Sequence, residues 1–452
     1  MGGLYYLFTP RLLEISPVPG AENVLAGTPL RLTFSRPMQS QSVAEHLKIQ
    51  PTLSGNVQWE GNTLIFTPDQ PWQNGITVQI SLTSGARASG WFAFPLLKEH
   101  TWSMTIVNAQ LAYLYPYEGE ADIYSIDPYS GETQQLIDSP DVILDFSISS
   151  TGNEIYYSVR RSGSGSAIYR LDRMTGETAL IIEFHQALCR FLQLSPKDDY
   201  LAYECTNLNQ TGSPASPQVW LLPILEFNQA LSETLGKQHQ PFLVSKSTQT
   251  QQPQWSPKGW LTYYDPSLSS YMIYNPYSGE NYEIPSQTGS PGTWHPNGEV
   301  FVFPEILTGE EIDSKITLAL NPIPTSHLIS YQLSDSSLHD LSLKDNLEDT
   351  SPAFSPDGNT LALARKYLNV SQWTPGRQLW FMRSDGSQAR PITQDPQYNH
   401  YDFAWSRSGE WLAYVRFNVT ELTEPPEIWL VNFEGEQARL LVGGGYAPQL
   451  IP

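Results

Sequence analysis

Residues whose types could do chemistry are present in this chain, but their spacing rarely suits it. The eight histidines, from His46 to His400, stand singly, with no His-Glu-x-x-His helix and no ligand-like interval, so no metal site is expected. No Gly-x-Ser-x-Gly elbow occurs, which removes the nucleophile of an α/β-hydrolase. The stretch 161–166 holds two glycines, but no Lys-Ser/Thr pair or helix follows to cradle a phosphate. No cofactor is expected. The only cysteines, Cys189 and Cys205, flank the turn Ser195-Pro196-Lys197-Asp198 at nearly equal distance. On the two strands of an antiparallel hairpin they would face each other or sit one residue out of register. That arrangement suggests a disulfide and an oxidising compartment, with two buried free thiols as the alternative.

The elements that would carry these residues are announced by a repeated phrase: an aromatic or aliphatic residue, a Ser-Pro-like pair, a Gly or Asp turn, then an apolar strand. It reads Leu194-Ser195-Pro196-Lys197-Asp198, Trp255-Ser256-Pro257-Lys258-Gly259, Trp294-His295-Pro296-Asn297-Gly298, Phe354-Ser355-Pro356-Asp357-Gly358 and Trp405-Ser406-Arg407-Ser408-Gly409, with a looser copy from Ile148 to Gly152. A second turn repeats too, Asp127-Pro128-Tyr129-Ser130-Gly131-Glu132 being nearly duplicated by Asn275-Pro276-Tyr277-Ser278-Gly279-Glu280. Gly supplies positive φ there, and Asn, Asp and Ser bond their own backbone, so both phrases predict hairpins. Recurrence at intervals of about 40 to 60 residues predicts a β-propeller of four-stranded blades. Six phrases are present, and the terminal Pro448-Gln449-Leu450-Ile451-Pro452 matches Pro253-Gln254-Trp255-Ser256-Pro257 and then stops. We therefore expect 447–452 to supply the inner strand of the blade containing Leu111 to Tyr115, giving seven blades with no open edge.

The repeat resembles the TolB-like, WD40-like (PD40) propeller repeat of bacterial proteins, also seen in dipeptidyl-peptidase-IV-like enzymes. Phe354-Ser355-Pro356-Asp357-Gly358-Asn359-Thr360-Leu361-Ala362 carries the resemblance best, while the copies at Ile148 and Trp405 lack the Pro. Because TolB is six-bladed, the resemblance leaves six blades as the alternative.

Before residue 109 the pattern changes to short alternating strands between Gly, Pro and Asn turns: Leu30-Arg31-Leu32-Thr33-Phe34-Ser35-Arg36-Pro37-Met38, Leu64-Ile65-Phe66-Thr67-Pro68 and Ile76 to Leu82. These predict a β-sandwich. The segment resembles a bacterial Ig-like domain of the SbsA type, which implies a spacer or interaction module on an exported protein. The expected division is a terminal stub over 1–11, an Ig-like sandwich over 12–108 and a propeller over 109–452. The apolar Gly2-Gly3-Leu4-Tyr5-Tyr6-Leu7-Phe8 is read either as the remnant of an anchor or signal segment lying upstream of residue 1 or as an ordinary terminal strand.

With 12% aromatic residues, 31 Gly and 36 Pro, the composition suits an all-β protein. The formal net charge of −21 repels phosphate backbones, so no nucleic-acid partner is expected. No apolar run reaches membrane-spanning length.

Loop lengths give the functional expectation. The turns joining first to second and third to fourth strands read as uniformly tight, whereas the opposite face carries long loops at 204–218, 305–326, 366–377 and 417–427. Long loops grouped on a rigid scaffold are where binding resides. They carry Glu310, Glu311, Asp313, Tyr367, Trp373, Glu421 and Glu424, with Trp373 as first contact candidate and the acids favouring a basic partner. The expected role is a non-catalytic binding or scaffold protein of the bacterial envelope, periplasmic or at the cell surface, that takes a protein or peptide partner. Two enzymatic alternatives are a propeller lyase or glycosidase, with Asp145 and Asp402 near the starts of channel-lining strands, and an accessory propeller for a separately encoded peptidase.

Overall fold

The computed structural model describes residues 9–21, 24, 28–69, 72–73, 75–106, 110–161, 165–208, 214–224, 240–307, 325–343 and 346–451. The chain divides into two compact units, one built essentially on 1–109 and the other on 110–451.

In the first unit the strands Leu12–Ser16, Leu30–Phe34, Thr63–Pro68 and Gly55–Glu60 lie side by side in that order, and Leu47–Gln50, Thr77–Leu82 and His100–Thr105 form a second sheet. Alternation sends Leu30, Leu32 and Phe34 from one sheet, and Val78, Ile80, Leu82 and Met104 from the other, into a single buried cluster. A short helix, Ser40–His46, interrupts the expected all-strand pattern. It buries only Val43, so it has no apolar periodicity by which the sequence would disclose it.

Among the described residues, the strands of the second unit fall into seven antiparallel quartets, numbered here in chain order. Quartet 1 is Gln110–Tyr115, Asp122–Ile126 and Thr133–Ile137 with Tyr446–Ile451; quartet 2 is Val142–Ile148, Glu154–Arg160, Ser166–Asp172 and Thr178–Phe184; quartet 3 is Ala187–Leu194, Tyr200–Leu208, Pro214–Pro223 and Phe242–Leu243. Quartet 4 is Gln251–Trp255, Leu261–Asp265, Ser270–Tyr274 and Asn281–Pro285, and quartet 5 is Thr293–Trp294, Val300–Leu307, Thr325–Gln332 and Leu338–Asp340. Quartet 6 is Leu347–Phe354, Thr360–Tyr367, Gln378–Arg383 and Arg390–Pro391, and quartet 7 is Tyr398–Trp405, Trp411–Asn418, Glu427–Asn432 and Arg439–Gly443. Quartets 5 and 6 are joined by one parallel bridge, Ser326 to Glu348. Tyr446–Ile451 pairs antiparallel with Gln110–Tyr115, Gln449 opposite Ala112 and Leu450 opposite Leu111.

The repeated phrases have a physical basis. The phrase serine closes its own hairpin: the Oγ of Ser149, Ser195, Ser256, Ser355 and Ser406 accepts from the backbone N–H of Glu154, Tyr200, Trp260, Thr360 and Trp411 at 3.0–3.1 Å. In the second turn the Oδ1 of Asp127 accepts from the N–H groups of Tyr129 and Ser130, and that of Asn275 from those of Tyr277 and Ser278. Gly131 and Gly279 follow at φ 77°, where a side chain would be strained. The phrase tryptophan instead reaches the preceding quartet. Trp255 Nε1 donates to the Gln193 carbonyl at 3.0 Å and Trp405 Nε1 to that of Ala353 at 3.1 Å.

Three residues before the phrase aromatic or aliphatic residue, the first strand of several quartets bulges. Phe191, Gln252, Ser351, Asp402 and the corresponding Ala447 take φ between 50° and 57°, each at a register shift in its ladder.

Candidate functional site

Two loops of quartets 6 and 7 carry the described part of the predicted binding face. Loop 368–377 is a built structure. Asn369 and Gln372 bond each other through their side-chain amides at 2.9 Å, and Gly376 donates its N–H to the Pro396 carbonyl at 2.9 Å. A Cβ on Gly376 would collide with the Tyr398 carbonyl, so only glycine lets this loop lie against the 392–397 connection. Trp373 is 53% exposed and forms an isolated bridge with Tyr367, which brings these two predicted residues together. Lys366 sits with its Nζ 4.8 Å above the Trp373 ring.

Beneath this loop lies a cavity of about 390 Å³, walled by Tyr367, Trp380, Pro391 and Pro396 and edged by Gln372, Thr374, Thr393 and Gln394. Aromatic walls with a few convergent polar groups are the composition of a ligand or side-chain pocket. Its floor is rigid. Arg365 is fully buried and donates from Nε and Nη2 to the two carboxylate oxygens of Asp349 at 2.7 and 2.6 Å, with its guanidinium 5.3 Å from the Trp380 ring centre. Asp349 accepts a further bond from Ser342 Oγ at 2.7 Å. Burial disfavours the Arg365 charge, but the Asp349 carboxylate more than offsets this and lifts the guanidinium pKa above its ordinary value.

Glu421 and Glu424 lie on loop 419–426, both exposed. Asn418 organises that loop, accepting from the Thr420 and Glu421 N–H groups and donating to Glu424 at 3.0 Å. Glu424 also accepts from the Tyr398 hydroxyl at 3.4 Å. Tyr398 follows directly on the connection that walls the cavity, so both loops hang from one segment. Arg416 is clamped between the Tyr398 and Trp429 rings at 4.1 and 3.8 Å and pairs with Asp395 and Glu427 at 2.9 Å.

Glu310, Glu311 and Asp313 lie outside the described residues. The supposed long loop at 204–218 is mostly strand, since quartet 3 extends to Leu208 and resumes at Pro214. On the opposite face the third strand of quartet 3 ends at Pro223 and the fourth begins at Phe242, with 225–239 outside the described residues. That face also holds a cleft of about 780 Å³ lined by Ser330, Asp335, His339 and Asp385. Asp335 and Asp385 there bond the N–H groups of Ser337 and Ser387 in local turns. His295 is a turn residue, accepting at Nδ1 from the Asn297 N–H at 3.1 Å, with Nε2 3.1 Å from the Gly358 carbonyl.

The two carboxylates weighed for channel chemistry are not paired. Each sits a few residues inside its strand at a bulge, Asp145 in Val142–Ile148 and Asp402 in Tyr398–Trp405. Asp145, in quartet 2, accepts the Leu192 N–H at 2.8 Å and so holds the bulge of quartet 3. Burial pushes its carboxyl up to about 6. Asp402, in quartet 7, lies at a bulge with its side chain open to solvent. Among the described residues no group of three or more His, Cys, Asp or Glu could hold a metal ion.

Cys189 and Cys205 stand directly opposite in the ladder of quartet 3 and are joined as a disulfide. Sequence reasoning missed Trp380, Arg365, Asp349 and Arg416. The one signal they gave was a charge ending the apolar alternation Leu361-Ala362-Leu363-Ala364.

These two units define an all-β protein, an Ig-like sandwich followed by a propeller. Residues 9–105 match the bacterial Ig-like domain family. No curated protein matches the sequence. Among solved structures the chain is similar to a puromycin hydrolase, at 10% identity and TM-score 0.52 over 74% of this chain and 52% of that one. It is similar to a prolyl endopeptidase at 11% identity and TM-score 0.51, over 74% and 49%. It also matches TolB from Acinetobacter baumannii at 12% identity and TM-score 0.45, over 90% and 83%. The chain spans about half the length of the two hydrolases. Likeness at this level is a likeness of fold.

Proposed function

We propose that this is a non-catalytic binding protein of the bacterial envelope whose seven quartets act as seven blades presenting loops 368–377 and 419–426 to a protein or peptide partner. The observation that carries the reading is the cavity lined by Tyr367, Gln372, Thr374 and Trp380, apolar in its walls, with the Asp349–Arg365 pair in its floor. The cavity's Trp380 already carries Arg365, and on the neighbouring loops Trp373 carries Lys366 while Tyr398 and Trp429 carry Arg416, so these faces hold this chain's own cations. The partner therefore offers an apolar or aromatic side chain to the cavity, and its basic residues meet Glu421 and Glu424 at the rim. The sandwich serves as an SbsA-type spacer. The Ig-like match and the propeller fold support an extracytoplasmic setting, and no helix among the described residues is long and apolar enough to cross a membrane.

The test is selection of displayed peptides against the full chain, followed by affinity measurement with Thr374→Trp, which fills the cavity, and with Glu421→Lys. Selected peptides should carry an aromatic or aliphatic anchor and lose about tenfold or more in affinity for the filled variant, a change of about 1.4 kcal/mol. Equal affinity for wild type and Thr374→Trp, with unchanged melting, would remove this face as the binding face. A propeller acting on substrate would instead show turnover abolished by Asp402→Asn.

A further inference from the structure

The sandwich carries an aromatic tip that its own fold leaves uncovered. Gly90, at φ 102°, and Ala93 close a tight turn through an Ala93 N–H to Gly90 carbonyl bond. The turn displays Trp91, 100% exposed, and Phe92, 83% exposed. Its base is pinned: Ala88 donates to the Phe94 carbonyl at 2.9 Å, Leu96 to that of Ala86 at 2.7 Å and Ser89 to that of Pro37 at 2.9 Å. Ala86, Ala88 and Leu96 are buried in the sandwich core, and Phe92 stacks on Phe94. The tip is thus a held protrusion.

Charge separates this unit from the rest. Over 1–109, the six basic residues Arg11, Arg31, Arg36, Lys48, Arg87 and Lys98 balance the six acidic residues Glu14, Glu22, Glu45, Glu60, Asp69 and Glu99. The whole net charge of −21 therefore lies in 110–452. Exposed Arg87 and Lys98 flank the tip in sequence, with exposed Glu99 next to Lys98.

We infer that the Trp91–Phe92 turn inserts into the headgroup region of a lipid bilayer. A Trp and a Phe on a convex tip beside the small residues Ser89, Gly90 and Ala93 offer a protein partner little further area, whereas lipid closes around a protrusion and accommodates both rings at its polar boundary. The neutral unit approaches an anionic leaflet that repels the acidic propeller, and Arg87 and Lys98 add attraction to lipid phosphates.

The experiment is vesicle flotation of the full chain with phosphatidylethanolamine and phosphatidylglycerol in about a 3:1 ratio, comparing wild type with Trp91→Ser plus Phe92→Ser. Both side chains are exposed, so melting should be unchanged and folding is not in question. The wild type should float and the double variant should lose about tenfold or more of its vesicle affinity. Brominated acyl chains should quench wild-type fluorescence more than that of Trp91→Tyr. Failure of the wild type to float, or equal flotation of both proteins, would overturn the inference. So would a change in oligomeric state in the double variant without vesicle binding, which would make the tip a contact between copies. None of these outcomes bears on the propeller cavity.

Discussion

In residues 9–106 one apolar cluster runs through the sandwich, with Leu30, Leu32, Phe34, Val78, Ile80 and Leu82 all at 0% exposure, and the surface charges cancel. In 110–451 the apolar burial is divided among smaller clusters that bridge neighbouring quartets: Ile168 with Tyr203, Ala202 with Tyr263, Ala362 with Tyr414. Polar groups finish those joints. Asp145 holds the Leu192 N–H, Glu204 the Gln252 N–H at 3.1 Å, and phrase tryptophans reach carbonyls of the quartet before. A sandwich excludes water by filling one interior. A ring of quartets has many narrow joints, and each needs directed bonds as well as burial.

The comparison is broken most severely by uncoupling the buried ion pair. Asp349→Ala leaves the Arg365 guanidinium buried without its partner and should cost about 3–5 kcal/mol in denaturant unfolding. Adding Arg365→Met should recover most of it. If Asp349→Ala alone changes stability by less than about 1 kcal/mol, this pair, which lies within quartet 6 and is tied to the 341–343 connection through Ser342, is not a structural support.

The second effect is pH-dependent. His400 is fully buried and its Nδ1 is 2.8 Å from the Arg377 carbonyl, while Asp395 and Arg416 lie nearby with opposing influence. Burial pushes the imidazole down to about 4. Its unfolded-state value is about 6.5, so the unfolded chain binds the extra proton between these values and stability falls as pH drops through that window. Asp145, pushed up to about 6 by burial, acts in the opposite sense below that pH and gains stability as it protonates. The His400 contribution is therefore read as a difference. Between pH values of about 7.5 and 5, wild type should lose about 2 kcal/mol more than His400→Gln. Parallel profiles for the two proteins would contradict a neutral buried imidazole.

The smallest effect sharpens the joint argument. Trp405→Phe keeps most of the ring but removes the bond to the Ala353 carbonyl, and should cost about 1–2 kcal/mol. Trp59→Phe in the sandwich, whose Nε1 donates to Ser40 Oγ at an exposed site, should cost about 0.5 kcal/mol or less. Equal costs would erase the distinction between the units.

What the sequence disclosed follows the reach of each interaction. The phrase serine bonds a backbone group four or five residues away, and Asp127 bonds two and three residues on, so both motifs repeat visibly and the propeller fold is legible from them. The partner of Trp405 is 52 residues away and that of Trp255 is 62 away, so the tryptophans are conspicuous while their function is not. The Asp349–Arg365 pair spans two strands and shows in one dimension only as two isolated charges. The cavity is assembled from segments at 365–380 and 391–396, and its Trp380 looks like any strand aromatic. Loop limits at 204–218 were misplaced because polar Thr206 and Asn207 still pair in the ladder of quartet 3.

The pairing of Gln110–Tyr115 with Tyr446–Ile451 sets an order in time. About 330 residues are made after Tyr115 before its partner strand appears, which at ribosomal rates is roughly 15–70 s. During that interval one edge of Gln110–Tyr115, which pairs on its other side with Asp122–Ile126, lacks its neighbour, and Leu111, Tyr113 and Leu114, all buried in the finished molecule, lack part of their cover. Until Tyr446–Ile451 is added, that open edge is a template on which another chain could pair.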